Sequence, residues 1–381
     1  MGRFEVRALN PLTPYALNPL KYYLIAGEAS GDLHGAKLTE ALRELDPTAD
    51  IRAWGGDLMQ QAGADVVKHY RELAFMGFVE VVMNLRTILG NLKACQQDIE
   101  AFRPDRLVLI DYPGFNLRIA KWARQQGYDI SYYISPQIWA WHTSRVHQVR
   151  KNVDRMLVIL PFEEEFYAKY GVEATFVGHP LLDVVAEIDQ PESPTHIALL
   201  PGSRKQEISR SLPIMLAAAA RVPDQKYVIA GAPGQSPEVY EELIQSAQTP
   251  PNVELVHGQT YRVLAGAHTA MVTSGTATLE TALFGVPQVV CYRGNALNYW
   301  LARRLVASRI KYISLVNLVM DAPVVPELIQ EDFNVDRLTE ELQKTVAGPA
   351  RDRQLKDLAQ LRKKLGEGGA ARRAAAAIIG D

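Results

Sequence analysis

The sequence predicts an α/β protein with two doubly wound, Rossmann-like domains that face a central cleft. Strand and helix patterns alternate along the chain, which is typical of parallel sheets with helices on both faces. The alternation pauses once, in the polar segment 188–194, whose two prolines indicate a linker. Ligands of such sheets bind beyond the carboxyl ends of the strands, so we expect the site in the cleft.

The strands of the first domain are apolar runs at 22–26, 106–110, 130–134 and 156–160. Helices are expected at about 38–45, 78–102 and 115–125, and after Ser144 and Pro161. In the second domain, strands are expected at 197–200, 227–230, 253–256, 268–272 and 287–292, with helices at 208–221, 238–245 and 277–284. The predicted organisation is an extension at 1–20, domains at 21–190 and 191–350, and a C-terminal helix within 351–381.

Charge and cysteine content exclude several classes of protein. A formal net charge of −2 gives no basic field for nucleic acid. Cys95 and Cys291 lie far apart and form no metal-type spacing, which argues for a reducing compartment and against a structural zinc site. No run reaches the ~18 apolar residues that span a bilayer, and the first twenty residues do not form a secretory signal. We therefore expect a cytoplasmic protein that can still touch a membrane surface.

Two loops of the second domain are suited to anions. Ser274, Gly275 and Thr276 turn a buried strand into a helix, whose free backbone N–H groups and dipole favour a diphosphate. Glu280 lies one turn further on the same face, where it could bind ribose hydroxyls. The loop 201–208 adds Arg204, which can pair with a diphosphate in a fork geometry. An ordinary N-capped core helix is the alternative for the first loop.

Three loops of the first domain carry further candidates. The glycines of 27–35 do not match the G-x-G-x-x-G dinucleotide pattern, yet its small residues let a sugar or phosphate approach. Asp111 follows an apolar strand and precedes a rigid Pro-Gly turn, a good position for a general base. Trp139 and Trp141 could form a platform for a sugar or acyl chain. The alternatives are a helix capped by Ser30 or Asp32, a turn-capping aspartate and tryptophans used for packing.

Taken together, these loops resemble the lipid-A-disaccharide synthases, glycosyltransferases of the two-domain GT-B kind. The resemblance covers nearly the whole chain after residue 21. It rests on the segments Gly27-Glu28-Ala29-Ser30-Gly31-Asp32, Ser135-Pro136 with Trp139-Ala140-Trp141, Pro201-Gly202-Ser203-Arg204 and Ser274-Gly275-Thr276-Ala277-Thr278-Leu279-Glu280, supported by 177–181 and 316–318. The family often has Asp-Ala-Pro-Asp-Phe-Asn where this chain has Asp111-Tyr112-Pro113-Gly114-Phe115-Asn116, which leaves Asp111 as the single base on that loop.

The resemblance implies transfer of 2,3-diacylglucosamine from its UDP derivative to 2,3-diacylglucosamine 1-phosphate, with inversion, to give a β-1,6-linked disaccharide. The implied catalytic residues are Asp111 and Arg204. The implied UDP-binding residues are Gly202, Ser203, Arg204, Ser274, Gly275, Thr276, Glu280 and Asn317, and the implied acceptor-binding residues are Glu28, Ser30, Asn116, Gln137 and Trp139. The chain has no Asp-x-Asp, so neither a metal nor a cofactor is expected, and Arg204 and helix dipoles would replace Mg²⁺.

The implied partners are the two lipid substrates and the cytoplasmic face of the inner membrane, with no nucleic acid; a homodimer is left open. Segment 75–89 is apolar over more than one helical stripe, and segment 298–311 combines Trp300 with basic residues, so both suit a membrane interface. The alternative for the first segment is a core helix. Two other functions remain open at this point, a UDP-N-acetylglucosamine epimerase of the same fold and a noncatalytic, nucleotide-binding protein of the membrane surface.

Overall fold

The computed structural model describes residues 19–73, 85–141, 143–247, 249–250, 252–294 and 311–380. Within these ranges the chain forms two α/β units, each built on one parallel sheet. The expected pair of parallel-sheet domains is therefore confirmed. Residues 75–84 of the first proposed membrane segment and 298–310 of the second lie outside the described residues, as does most of the N-terminal extension.

The first sheet has seven parallel strands in the order β3-β2-β1-β4-β5-β6-β7. They are β1 (Lys21–Ala26), β2 (Asp50–Gly55), β3 (Asp65–His69), β4 (Arg106–Ile110), β5 (Ile130–Tyr133), β6 (Arg155–Val158) and β7 (Ala174–Phe176). Its helices are α1 (Ala29–Leu45), α2 (Asp57–Gln61), α3 (Leu85–Phe102), α4 (Pro113–Gln126), α5 (Ile138–Trp141), α6 (Val146–Asn152), α7 (Phe162–Ala168) and α8 (Leu181–Ala186). The strand order reverses between β1 and β4.

The second sheet has six parallel strands in the order β10-β9-β8-β11-β12-β13. They are β8 (His196–Leu200), β9 (Tyr227–Gly231), β10 (Val253–His257), β11 (Ala267–Thr273), β12 (Gln288–Tyr292) and β13 (Glu327–Ile329). Its helices are α9 (Lys205–Ala220), α10 (Pro237–Ser246), α11 (Thr260–Ala265), α12 (Thr276–Leu283), α13 (Leu315–Met320), α14 (Val335–Val346) and α15 (Pro349–Lys364). Here the order reverses between β8 and β11.

The C-terminal region contains two helices, which pack on different units. Helix α15 packs against α12 and α14 of the second unit, whereas α16 (Ala370–Ile379) packs along α1 of the first. The carboxylate of Asp183 accepts hydrogen bonds from the N–H groups of Gly369 (2.5 Å) and Ala370 (3.1 Å), which caps α16. Arg106 Nε donates to the carbonyl of Ile378 (3.0 Å) at the other end. The second unit thus lies between two parts of the first in sequence.

Apolar burial also joins the two units. One core cluster contains Leu160, Leu181, Leu182 and Val185 of the first unit together with the inner face of the second sheet. These side chains are almost fully removed from water, so the short helix α8 packs the first unit against the second. No helix among the described residues has the length and apolar character needed to cross a bilayer.

Candidate active site

Both sheets place their candidate loops at equivalent positions. The loops after β1 and β4 flank the reversal of the first sheet, and the loops after β8 and β11 flank that of the second. Diverging connections open a crevice at such a switch point, where ligands of doubly wound sheets bind. Four of the five loops chosen from the sequence occupy these two positions. The fifth, after β5, lies one strand further along the first sheet.

Asp111 stands directly after β4 in a strained backbone. It and Tyr112 both have φ near +46°, a conformation that costs free energy for residues with a side chain. Three contacts stabilise the bend: Tyr132 Oη donates to the Asp111 carbonyl (2.5 Å), Asn116 Nδ2 donates to the same atom (2.9 Å), and the Asp111 N–H donates to Tyr133 O (3.1 Å). The carboxylate is therefore held at the crevice by the backbone.

The environment of Asp111 suits a base that works near neutral pH. Burial, and secondly the negative charge of Glu28, raise the pKa of the Asp111 carboxyl to about 7, opposed by a backbone hydrogen bond from Tyr112. Glu28 is exposed at the start of α1, and Gly27 beside it has the ring of Tyr112 against its Cα. A Cβ at Gly27 would lie 2.3 Å from that ring, so only glycine permits this approach of the two loops.

Asn116 is fully buried. Its Nδ2 donates to the carbonyls of Ile25 (3.4 Å), Ile110 (3.2 Å) and Asp111 (2.9 Å). It thus ties the ends of β1 and β4 together. These hydrogen bonds position the Asp111 loop, while the Oδ1 atom of Asn116 has no hydrogen-bond partner among the described residues and its contact with the acceptor stays a prediction.

The remaining polar residues of the first loop divide into exposed and structural ones. Ser30 is exposed on the first turn of α1, and the N-cap residue of this helix is Glu28, whose side chain makes no capping hydrogen bond. Asp32 is buried, and its carboxylate accepts from the N–H groups of Gly56 (2.8 Å), Leu58 (3.2 Å) and Met59 (3.1 Å). Asp32 therefore holds the start of α2, whereas Glu28 and Ser30 are exposed to a ligand.

The loop after β5 is organised by a residue that the sequence did not indicate. Glu163 is buried, and its carboxylate accepts from Trp139 Nε1 (3.2 Å) and the N–H of Leu160 (3.0 Å). Burial raises the pKa of Glu163 to about 7, although these hydrogen bonds oppose the shift. The Trp139 ring meets Phe162 edge-on at 5.0 Å between centroids. Gln137, by contrast, is exposed.

The loop after β8 presents a basic residue at the start of α9. Gly202 has a φ of +121°, and Ser203 and Arg204 are exposed. Arg204 pairs through Nη1 with Glu207 Oε1 (2.9 Å) and keeps 64% of its side chain exposed. Its guanidinium is therefore accessible from solvent.

The loop after β11 combines an exposed helix start with a desolvated carboxylate. Gly275 and Thr276 are exposed at the start of α12, and Ser274 Oγ donates to the carbonyl of Ile313 (3.1 Å). Burial raises the pKa of Glu280 to about 7, and no side-chain hydrogen bond of Glu280 occurs within the described part of the chain. Glu280 is half-buried, and a ligand hydroxyl that donates to its carboxylate would replace water lost from that group.

Asn317 has no donor left for a ligand. Its Nδ2 donates to Val325 O and Glu327 Oε1 (2.9 Å each), and its Oδ1 accepts from the Val325 N–H (2.9 Å). This buried side chain therefore holds the segment 314–327, and its predicted contact with UDP stays a prediction. Among the described residues, no three His, Cys, Asp or Glu side chains are grouped as a metal site would require.

Known proteins resemble this chain over almost its full length. A family model described as lipid-A-disaccharide synthetase matches residues 22–379. The lipid-A-disaccharide synthase of Syntrophus aciditrophicus is 41% identical over 94% of this chain and 97% of its own. That of Myxococcus xanthus is 38% identical over 95% and 97%, respectively.

Solved structures with the same fold are more distant in sequence. The glycosyltransferase of kitacinnamycin has a TM-score of 0.64 at 17% identity, covering 95% of this chain and 98% of its own. The UDP-GlcNAc 2-epimerase of Neisseria meningitidis, bound to UDP-GlcNAc, has a TM-score of 0.58 at 12% identity, covering 94% and 98%. At such identities the likeness establishes the two-domain fold alone.

Proposed function

This chain belongs to the lipid-A-disaccharide synthase family of GT-B glycosyltransferases, and we propose that it makes the β-1,6-linked disaccharide of lipid A. The donor is UDP-2,3-diacylglucosamine and the acceptor is 2,3-diacylglucosamine 1-phosphate. One observation carries the residue assignments: two carboxylates at the switch point of the first sheet, and an accessible arginine with an exposed helix start at that of the second. The first arrangement suits proton removal and the second suits a departing diphosphate.

The first half of the proposed reaction is activation of the acceptor. The acceptor 6-hydroxyl oxygen attacks the anomeric carbon of the donor while its proton passes to the Asp111 carboxylate. A base with a pKa of about 7 is ionised in a large fraction of molecules at neutral pH and still accepts a proton readily. Attack opposite the leaving group inverts the α-linked donor to a β-linkage. Glu28, Ser30, Gln137 and Trp139 are the proposed acceptor contacts.

The second half is departure of UDP. The bond between the anomeric carbon and the diphosphate oxygen breaks, and its electron pair leaves with UDP. Arg204 and the first N–H groups of α12 face that charge, with Gly202, Ser203, Ser274, Gly275 and Thr276 forming the loops around it. Glu280, whose carboxylate is desolvated and unpaired within the described residues, accepts hydrogen bonds from the ribose hydroxyls. We propose that these fixed groups act without a metal or a cofactor.

The lipid substrates require an approach to the bilayer, and we place the protein at the cytoplasmic face of the inner membrane. The acyl chains keep both substrates in the membrane. We propose from its apolar sequence that segment 75–89 contacts the membrane. Leu89, at the C-terminal end of this segment, is 57% exposed. A variant with Phe75, Val79, Val82 and Met83 changed to serine should stay folded and no longer sediment with anionic liposomes. A large fall in melting temperature would instead identify a core helix.

The activity is tested by supplying both substrates in mixed micelles and following disaccharide 1-phosphate and UDP together. Equal amounts of the two products are expected. An epimerase would isomerise UDP-N-acetylglucosamine and form no disaccharide, and a noncatalytic nucleotide-binding protein would form neither product. The absence of disaccharide from a folded, UDP-binding protein would refute the proposal.

A further inference from the structure

The loop after β8 already holds a negative charge supplied by the protein itself. Glu207, in the first turn of α9, folds back so that its Oε2 accepts from the backbone N–H groups of Ser203 (3.2 Å) and Arg204 (3.3 Å). Its Oε1 accepts from Nη1 of Arg204 (2.9 Å). Two backbone donors and a guanidinium, the set that a diphosphate would use, therefore converge on one carboxylate.

The loop is shaped to admit this carboxylate. Gly202 has a φ of +121°, and a Cβ there would lie 2.7 Å from Glu207 Cβ and 2.8 Å from its Oε2. A second anchor holds the loop from the other side, since Gln235 Nε2 donates to the Ser203 carbonyl (3.0 Å) and His257 Nε2 donates to the Gln235 carbonyl (2.6 Å). The loop therefore has a support that does not involve Glu207.

We propose that Glu207 is a displaceable internal anion that competes with the diphosphate of UDP for the loop after β8. The inference rests on the proposed donor site. A carboxylate and a diphosphate repel each other and cannot share the same three donors, so Glu207 swings away when UDP binds and returns when UDP leaves. The Glu207 side chain is 32% exposed, so water is at hand to solvate the displaced charge. Such competition lowers the affinity of the protein for UDP and speeds the release of this product.

The test separates the effect of the negative charge at position 207 from the effect of the size of the side chain. Glu207→Gln keeps the size of the side chain but removes its charge, and should tighten UDP binding about three- to tenfold, tenfold being about 1.4 kcal/mol. The gain should shrink as salt rises, because repulsion between partly exposed charges is screened. Glu207→Asp keeps the charge and should bind UDP about as wild type does. Titration calorimetry with UDP at low and high salt measures both effects.

A matched control is available in the same unit. Arg337 and Glu340 form the same i,i+3 pair at 3.1 Å in α14, so Glu340→Gln removes an equivalent charge away from the loop and should leave UDP binding unchanged. Unchanged or weaker UDP binding by folded Glu207→Gln would overturn the proposal and make Glu207 a support of the loop. Should melting curves show that variant unfolded, Glu207→Ser supplies the same neutralisation and is judged in the same way. Arg204→Ala with normal UDP affinity would instead refute the donor site itself.

Discussion

The two switch points of this protein share a topology and differ in charge. Beside β1 and β4 stand the carboxylates of Glu28 and Asp111, whereas beside β8 and β11 stand Arg204 and the start of α12. Burial and the negative charge of Glu28 raise the pKa of Asp111, whereas Arg204 and the helix start favour an anion. In the proposed reaction, sheet topology sets where the ligands bind, and a few loop residues set the chemistry at each switch point.

The largest effect should come from the base. Asp111→Asn keeps the left-handed backbone, which asparagine tolerates, and removes the proton acceptor. We expect kcat to fall about 10²–10⁴-fold with UDP affinity unchanged. Rapid-quench assays and calorimetry measure the two quantities. Asp321→Asn is the matched control, since Asp321 also has a positive φ (+48°) and is not a proposed site residue. Near-normal turnover by Asp111→Asn would exclude Asp111 as the base.

The opposite half should respond in the opposite way. Arg204→Ala removes the main positive charge and should weaken UDP binding about 10–100-fold, since hydrogen bonds to charged groups are worth about 1.5–3 kcal/mol. Arg337→Ala, which breaks the equivalent pair with Glu340, should leave UDP affinity intact. If Arg204→Ala reduced kcat while binding UDP normally, the assignment of UDP binding to the second switch point would be wrong.

A smaller effect is expected at the ribose. Glu280→Ala should weaken UDP binding about tenfold, while binding of 2′-deoxy-UDP should change less because one acceptor–hydroxyl pair is already missing. Calorimetry with both nucleotides on wild type and variant forms a double-mutant cycle. A coupling energy of zero would place the 2′-hydroxyl away from Glu280.

The coupling between the two carboxylates predicts a pH shift. Asp111 must be ionised to act, so kcat/KM should rise with pH through an acid limb near 7. Glu28→Gln removes a like charge, lowers the pKa of Asp111 and should move that limb to lower pH. Glu40→Gln, also exposed on α1, is the control. An unmoved limb in Glu28→Gln would show that Glu28 and Asp111 do not interact.

The smallest expected effect is that of a chelator. Fixed positive groups replace a cation in the proposed donor site, so dialysis against EDTA should leave the initial rate unchanged. Loss of activity that Mg²⁺ restores would contradict this and direct attention to carboxylates of both switch points.

The sequence predicted most of the internal strands and the loops that follow them, because both carry strong local signals. Runs such as Leu107-Val108-Leu109-Ile110 are buried on both faces, and the polar residues after them must lie at the sheet edge. Four strands were not predicted. The edge strands β3, β7 and β13 are short and partly exposed and lack a continuous apolar run. The internal strand β2 was missed because Asp50 and Arg52 interrupt its apolar residues.

Side-chain partners were harder to predict. Glu163 stands in a run of three glutamates that resembles a solvated helix start, and only the tertiary fold buries one of them against Trp139. Asn116 and Asn317 were expected to contact ligands, and their internal hydrogen bonds depend on carbonyls that the fold brings near. The contact between Glu207 and the loop after β8 likewise depends on the backbone conformation at Gly202, which the sequence does not specify.

The return of α16 to the first unit has a consequence for how the chain folds during synthesis. Ala371, Ala374, Ala375 and Ile378 belong to the same buried cluster as Tyr22, Leu24 and Ala26 of β1. The part of this face that α16 covers therefore stays exposed until the ribosome has released the residues around 370–379, by which time the second unit can already have folded. Nascent chains stalled before residue 370 should accordingly bind chaperones through the first sheet.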